Sequence, residues 1–183
     1  MSRKPKEKDL QKQIESLQRK VIRHQKREDA FWRIQERLGQ IIESFPIPIF
    51  VIDNDHIITH YNQAMENLSG IGADEMIGSR EPWKAFYSAA RPTMADFILD
   101  GAPEEELTRY YQGKFRPSAV KKGAYEAEDF FPDINDEGRW LFFTAAPLTD
   151  SEGNVFGALE TLQDTTERRH AIQERLKTER RFR

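Results

Sequence analysis

PIFVIDNDHIITHYNQA, residues 48–64, is the stretch on which the reading of the fold turns. Ile47 to Ile52 is a short apolar, β-branched run, Asp53-Asn54-Asp55-His56 is a turn, and Ile57 to Tyr61 is a second apolar run. Two such runs joined by a polar turn read as an antiparallel hairpin. Asn62 is placed to N-cap a short helix through Leu68, its side-chain oxygen accepting from the free N–H groups of the first turn. Gly70 stops that helix, because glycine enters left-handed backbone at little cost. Ala73 to Ile77 makes another helical turn before Gly78.

Upstream the period changes. Residues 6–43 contain neither Gly nor Pro before Gly39, and Pro46 and Pro48 end the segment. Leu10, Ile14, Leu17 and Val21 recur at spacings of four and three, as do Phe31, Ile34, Leu38, Ile41 and Phe45. Each set is a heptad seam, so residues 1–43 read as a long amphipathic helix with coiled-coil tendency. Carrying the first register onward puts His24, Glu28 and Gln35 on the seam, a shift of the kind called a stutter. A lone helix cannot bury such a stripe, which predicts a homodimer through it; the alternative is a helix folded back on its own domain.

Downstream of the hairpin the chain turns helical. Pro82 suits the first turn of a helix with Trp83, Phe86 and Tyr87 on one face. Pro92 is read as starting a second helix through Leu99. Pro103, followed by three glutamates that suit a helix dipole, starts a third carrying Leu107, Tyr110 and Tyr111, which Gly113 ends. Three strands follow, at 124–131, 139–146 and 155–163, joined by turns at Asn135-Asp136-Glu137-Gly138 and Asp150 to Asn154. In the first, Tyr125, Ala127 and Phe131 share a face opposite Glu126 and Glu128. In the second, Trp140, Phe142 and Ala146 oppose Leu141, Phe143 and Ala145. From Asp164 the pattern is helical again, and Asp164-Thr165-Thr166-Glu167 fits a cap with a glutamate three residues on.

Composition closes off several chemistries. The 183 residues include no cysteine, which excludes disulfide scaffolds, thiolate metal centres and cysteine nucleophiles. No run of about 18 apolar residues exists for a transmembrane helix, and the charged first ten residues do not suit a secretory signal. A cytoplasmic location is the default. Residues 1–28 hold ten Lys/Arg against four Asp/Glu, residues 164–183 seven against four, and the body between them eleven against twenty-three. Basic tails therefore flank an acidic body. No aromatic interleaves the basic run before Phe31, so a nucleic-acid stacking surface is not expected.

The order helix, ββ, short helices, βββ, helix resembles a PAS domain of bacterial sensor histidine kinases and diguanylate cyclases. The resemblance rests on Pro48 to Asp53 with Tyr61 to Ala64, on the turns Gly70-Ile71-Gly72 and Met76-Ile77-Gly78, and on Gly153 to Gly157 leading to Asp164-Thr165-Thr166. It covers about residues 38–169. It implies an α+β fold: a five-stranded antiparallel sheet covered by short helices, flanked by an N-terminal coiled-coil helix and a C-terminal linker helix. The sensor domain spans 44–164 and the linker helix 165–183. The middle stretch is longer than the family usually has, which is read as a helical insertion at about 101–123.

A cavity between helices and sheet is where such a domain holds a ligand. The candidate ligand-binding residues are Trp83, Phe86, Tyr87, Arg91, Tyr111, Trp140 and Phe142; any single aromatic reads first as core. Arg91 pairs either with a carboxylate ligand or with Asp96 or an acid of the insertion. No cofactor is assigned. Haem needs an axial histidine, and of His24, His56, His60 and His170 only His60 is tolerable. Non-covalent flavin would stack on Trp83 and Trp140. Asp133-x-Asn135-x-Glu137-Gly138 imitates half of a calcium loop, but Thr144 stands where its last carboxylate belongs, so it reads as a turn. Neither a catalytic constellation nor a metal site is found. Asp164, Thr166 and Glu167 form the candidate signal junction. The expected function is a sensory and dimerisation module, not an enzyme, binding a small molecule and acting through its flanking helices on an output domain such as a histidine kinase elsewhere. The alternative is a ligandless scaffold that only dimerises and couples helices.

Overall fold

A computed structural model of the chain describes residues 4–135 and 137–181. The extreme ends of the expected helices (1–3 and 182–183) and Asp136 of the expected turn lie outside the described residues. The chain forms two compact units, Met1–Ile41 and Ile42–Arg183.

The first unit is helix α1 (Lys4–Ser44) up to its last turn. Both seams stand open on it: Leu10, Ile14, Leu17 and Val21 are exposed, as are Phe31, Ile34, Leu38 and Ile41. No helix among the described residues is long and apolar enough to cross a membrane.

The second unit is an α+β domain. Its strands are β1 (Ile49–Asp53), β2 (Ile58–Tyr61), β3 (Phe115–Pro117), β4 (Tyr125–Phe131), β5 (Arg139–Thr149) and β6 (Val155–Asp164), all paired antiparallel in the order β2-β1-β6-β5-β4-β3. Helices α2 (Gln63–Ser69), α3 (Ala73–Met76), α4 (Met94–Leu99) and α5 (Glu104–Tyr111) fill the chain between β2 and β3, and α6 (Thr166–Arg181) follows β6. The hairpin and α2 form as read: Asn62 caps α2 by accepting the Met65 N–H, and Gly70 leaves it at φ 76°.

Three expectations need correction. The sheet has six strands rather than five, because part of the expected helical insertion, Phe115–Pro117, pairs with β4 as Phe115↔Ala127, Arg116↔Glu126 and Pro117↔Tyr125. Proline hides such a strand in sequence, and an edge is where its missing N–H is tolerated. The helix expected at Pro92 starts at Met94: Thr93 and Asp96 exchange hydrogen bonds as a capping box, which fixes the start beyond the proline. The helix expected to carry Trp83, Phe86 and Tyr87 is only a 3₁₀ turn, Pro82–Ala85.

The core lies between the sheet and α2–α5. Phe50 and Ile52 of β1, Leu141, Phe143 and Ala145 of β5, and Ala158 and Leu162 of β6 meet Met65, Met94, Phe97, Leu107 and Tyr111 of the helices. Each buried Phe, Leu, Ile or Met side chain among them contributes roughly 1.5–3 kcal/mol relative to exposure. Period-two alternation sends the other set of β5, Trp140, Phe142 and Thr144, to the opposite face, where they are half-buried.

Candidate functional site: an interior guanidinium and a sheet-to-helix junction

Arg91 lies on the loop between the 3₁₀ turn and the Thr93 cap. Its Cζ stands 4.1 Å from the Tyr87 ring centroid, 5.1 Å from that of Tyr110 and 5.2 Å from that of Tyr111. Cation–π attraction holds a guanidinium against such rings. Its Nε and Nη2 are buried and meet no hydrogen-bond partner among the described residues. Asp96, the internal partner weighed above, is engaged elsewhere. One oxygen accepts from the Thr93 N–H and hydroxyl at 2.7 Å each, and the other bonds His56 Nδ1 at 2.7 Å.

Glu160 of β6 faces the same interior and is 3% exposed. Its Oε2 accepts the Ala95 N–H of α4 at 2.9 Å. Burial pushes its carboxyl up to about 8; the Ala95 bond and Arg91 oppose the shift and Asp96 adds to it. Burial also lifts the Tyr87 and Tyr111 phenols above their ordinary range, with Arg91 pulling both down.

The structure brings together four of the seven candidates. Phe86 lies 5.9 Å, ring to ring, from both Phe50 and Phe131, Tyr87 5.6 Å from Phe131, and Tyr111 5.7 Å from Phe143, all around Arg91 or beside its neighbours. Trp83 is the second residue of the 3₁₀ turn and is half-buried. Trp140 and Phe142 are not part of this interior; strand alternation turns them to the outer face. A flavin ring stacked between Trp83 and Trp140 does not suit that arrangement, since Trp140 already carries the Arg169 guanidinium 3.8 Å from its ring. His60 lies on edge strand β2 with its Nδ1 3.0 Å from the Thr59 hydroxyl.

The outer face holds the junction to α6. Asp164 accepts the Thr166 N–H at 2.9 Å and an Arg139 N–H at 2.6 Å, and the Thr166 hydroxyl accepts the Trp140 N–H at 2.9 Å. Thr165, rather than Asp164, is the residue before the helix, its carbonyl receiving the Arg169 N–H. The Thr165 hydroxyl donates to Glu128 at 2.7 Å, and Arg169 grips Glu128 through Nε and Nη2 at 2.9 and 2.6 Å. Glu167 takes no part in this set. Beside it, a groove of about 810 Å³ runs between the sheet and α6, with Phe142 and Ile172 among Lys114, Arg116, Arg168 and Glu126.

Sequence reading missed Glu160, Glu128, Thr165, Arg169 and His56. A lone acid inside the apolar run of β6 is a readable signal for Glu160. The Glu128–Arg169 pair gives none, because it depends on the register of two strands and a helix.

The family model described as the PAS fold matches residues 42–170. Phytochrome E of Ipomoea nil is 32% identical over 144 residues, covering 74% of this chain and 12% of that protein, so the chain spans only a small part of that relative. The PAS domain of BvgS from Bordetella pertussis has 18% identity and a TM-score of 0.48, covering 80% of this chain and 97% of that one. The PAS domain of a Colwellia psychrerythraea protein has 18% identity and a TM-score of 0.48, covering 73% and 98%.

Proposed function

The chain belongs to the PAS family, whose domains are generally sensory and dimerisation modules of signalling proteins, and from that premise we propose a sensor that couples an interior ligand to its flanking helices. In this reading a small molecule is held between the sheet and α4–α5. The domain acts in the cytoplasm within a bacterial signalling protein of the sensor histidine kinase or diguanylate cyclase type, without catalysis of its own. The output domain is one such as a histidine kinase.

One observation carries the reading. Strand β6 holds Glu160, bonded to the first turn of α4, and four residues later Asp164, which holds the first turn of α6. A ligand that shifts α4 against the sheet therefore pulls on the strand that feeds the exit helix. A cap of this kind is worth about 1 kcal/mol, comparable to the energy that couples two signalling states. The open seams of α1 suit a second copy of the chain, giving a homodimer whose helices carry the strain.

Native mass spectrometry and light scattering test this together. Expected are a dimer that loses strength on deletion of residues 1–30, and a small molecule retained in the folded chain. An unchanged mass after deletion removes the dimer. A dimer that retains nothing reduces the protein to a scaffold that only couples helices. In a protein with its output domain attached, Asp164→Ala should abolish the stimulus response with ligand affinity intact.

A further inference from the structure

We propose that the interior around Arg91 is a binding site for a small organic monocarboxylate, gripped by Arg91 Nε and Nη2 and seated against the Tyr87, Tyr110 and Tyr111 rings. The proposal rests on the reading that this domain holds a small molecule, and names its class.

The first argument is the unused edge of the guanidinium. Nε and Nη2 form one side of the planar fork, spaced to meet both oxygens of one carboxylate. Arg169 uses that same edge on Glu128. In Arg91 both atoms are buried and meet no partner among the described residues. Donors enclosed without acceptors are costly, charged ones most of all, so a site that keeps them enclosed is suited to an acceptor from outside.

The second argument is that internal acids do not fill the place. Asp96 is committed to Thr93 and His56. Glu160 is turned to the Ala95 N–H.

The third argument selects within anions. Arg91 is a cation acting on this interior and Asp96 an acid acting beside it, while Glu160, pushed up by burial, keeps its proton near neutral pH. A dianionic phosphate or a dicarboxylate would bring its second charge toward Asp96 and into a buried site, where a charge without a partner is costly. A single carboxylate balances Arg91 alone. The three tyrosine rings favour a ligand with an apolar or aromatic body on that carboxylate.

The test uses the full chain, ¹⁵N-labelled, with the Arg91 Nε–H resonance assigned by its loss in Arg91→Gln. Acetate and phenylacetate are titrated, with acetamide and phenylacetamide as neutral controls. The acids should shift that resonance to saturation and the amides leave it in place. Phenylacetate should bind at least tenfold tighter than its amide and tighter than acetate. Arg91→Gln should erase the preference for the acid, and Arg91→Lys, which keeps the charge without the fork, should weaken it. If Arg91→Gln does not fold, the Arg91→Lys comparison decides. No shift with either acid, or equal binding of acid and amide, overturns the carboxylate site. Equal binding of acid and amide in the interior leaves small-molecule sensing standing while removing this ligand class. A neutral molecule retained by the purified chain does the same.

Discussion

Glu128 and Arg169, forty-one residues apart, meet through two parallel hydrogen bonds of 2.9 and 2.6 Å, with Trp140 beneath the guanidinium. The pair fastens the first turn of α6 to the outer face of the sheet. Arg169's hydrogen bond is the largest influence on Glu128; against opposing burial it takes the carboxyl down to about 2. A carboxyl depressed on folding adds stability above its unfolded value, near 4.5, and that stability is lost as pH falls toward 2. Both side chains are about a third exposed, so solvent screening keeps the contribution to about 1 kcal/mol. Glu128→Gln should lower stability by that amount above pH ~5, with the difference shrinking as pH falls and closing near pH ~2, by denaturant titration. A constant difference across that range refutes the pairing.

Asn62 should matter more. Its Oδ1 accepts the N–H groups of Ile49 and Met65 at 3.0 Å, and its Nδ2 lies 2.9–3.2 Å from the carbonyls of Ile42, Phe45 and Ile47. One buried amide thus caps α2, starts β1 and fixes the chain leaving α1. Asn62→Ala should cost about 2–4 kcal/mol, because enclosed backbone groups lose their partners. Asn62→Asp keeps both acceptor bonds but aims a carboxylate at three carbonyls. It should be no more stable than alanine at neutral pH; a stable aspartate variant would mean that the donor half is unimportant.

His56 joins the β1–β2 turn to α4. Its Nδ1 is 2.7 Å from Asp96 and its Nε2 3.1 Å from Asp100. Burial pulls its pKa down, but the hydrogen bond and charge of Asp96, with Asp100 behind, outweigh it, and the net shift is upward from 6.5. A histidine raised on folding contributes fully below its unfolded pKa and loses that contribution as pH rises through the folded one. His56→Gln should therefore cost stability at pH 5.5 and little at pH 9. Equal cost at both would make the contact one of packing alone.

The physical limits of sequence reading show in particular residues. Alternation along 139–146 separated Leu141, Phe143 and Ala145 from Trp140, Phe142 and Ala146, yet both sets are apolar. Periodicity then cannot tell which set meets the helices. The inward face went to Leu141, Phe143 and Ala145, which are buried, and the candidates Trp140 and Phe142 went outward. Local chemistry was legible: the Asn62 cap, the Gly70 stop and the Asp164 bond to the Thr166 N–H each join residues only two to four positions apart. Contacts that depend on register, such as Thr165 to Glu128 or Ala95 to Glu160, were not, because strand order must be known first.

Glu160 carries the last prediction. Its carboxyl is pushed up to about 8 in the folded chain from an ordinary 4.5, burial outweighing the Ala95 bond and Arg91. The folded state therefore holds a proton that the unfolded state releases, and stability falls as pH rises from ~4.5 to ~8, by at most about 1.4 kcal/mol per unit. Below that window the group has no effect; above it the full cost is present. Glutamine keeps the size and an acceptor for the Ala95 N–H but does not ionise. Glu160→Gln should match the unsubstituted chain near pH 4.5 and be the more stable of the two at pH 8. His56 titrates in an overlapping range, so the comparison is best made in a His56→Gln background. A Glu160→Gln variant with the same slope between pH 5 and 8 would show that the Glu160 carboxyl ionises as readily inside the fold as outside it.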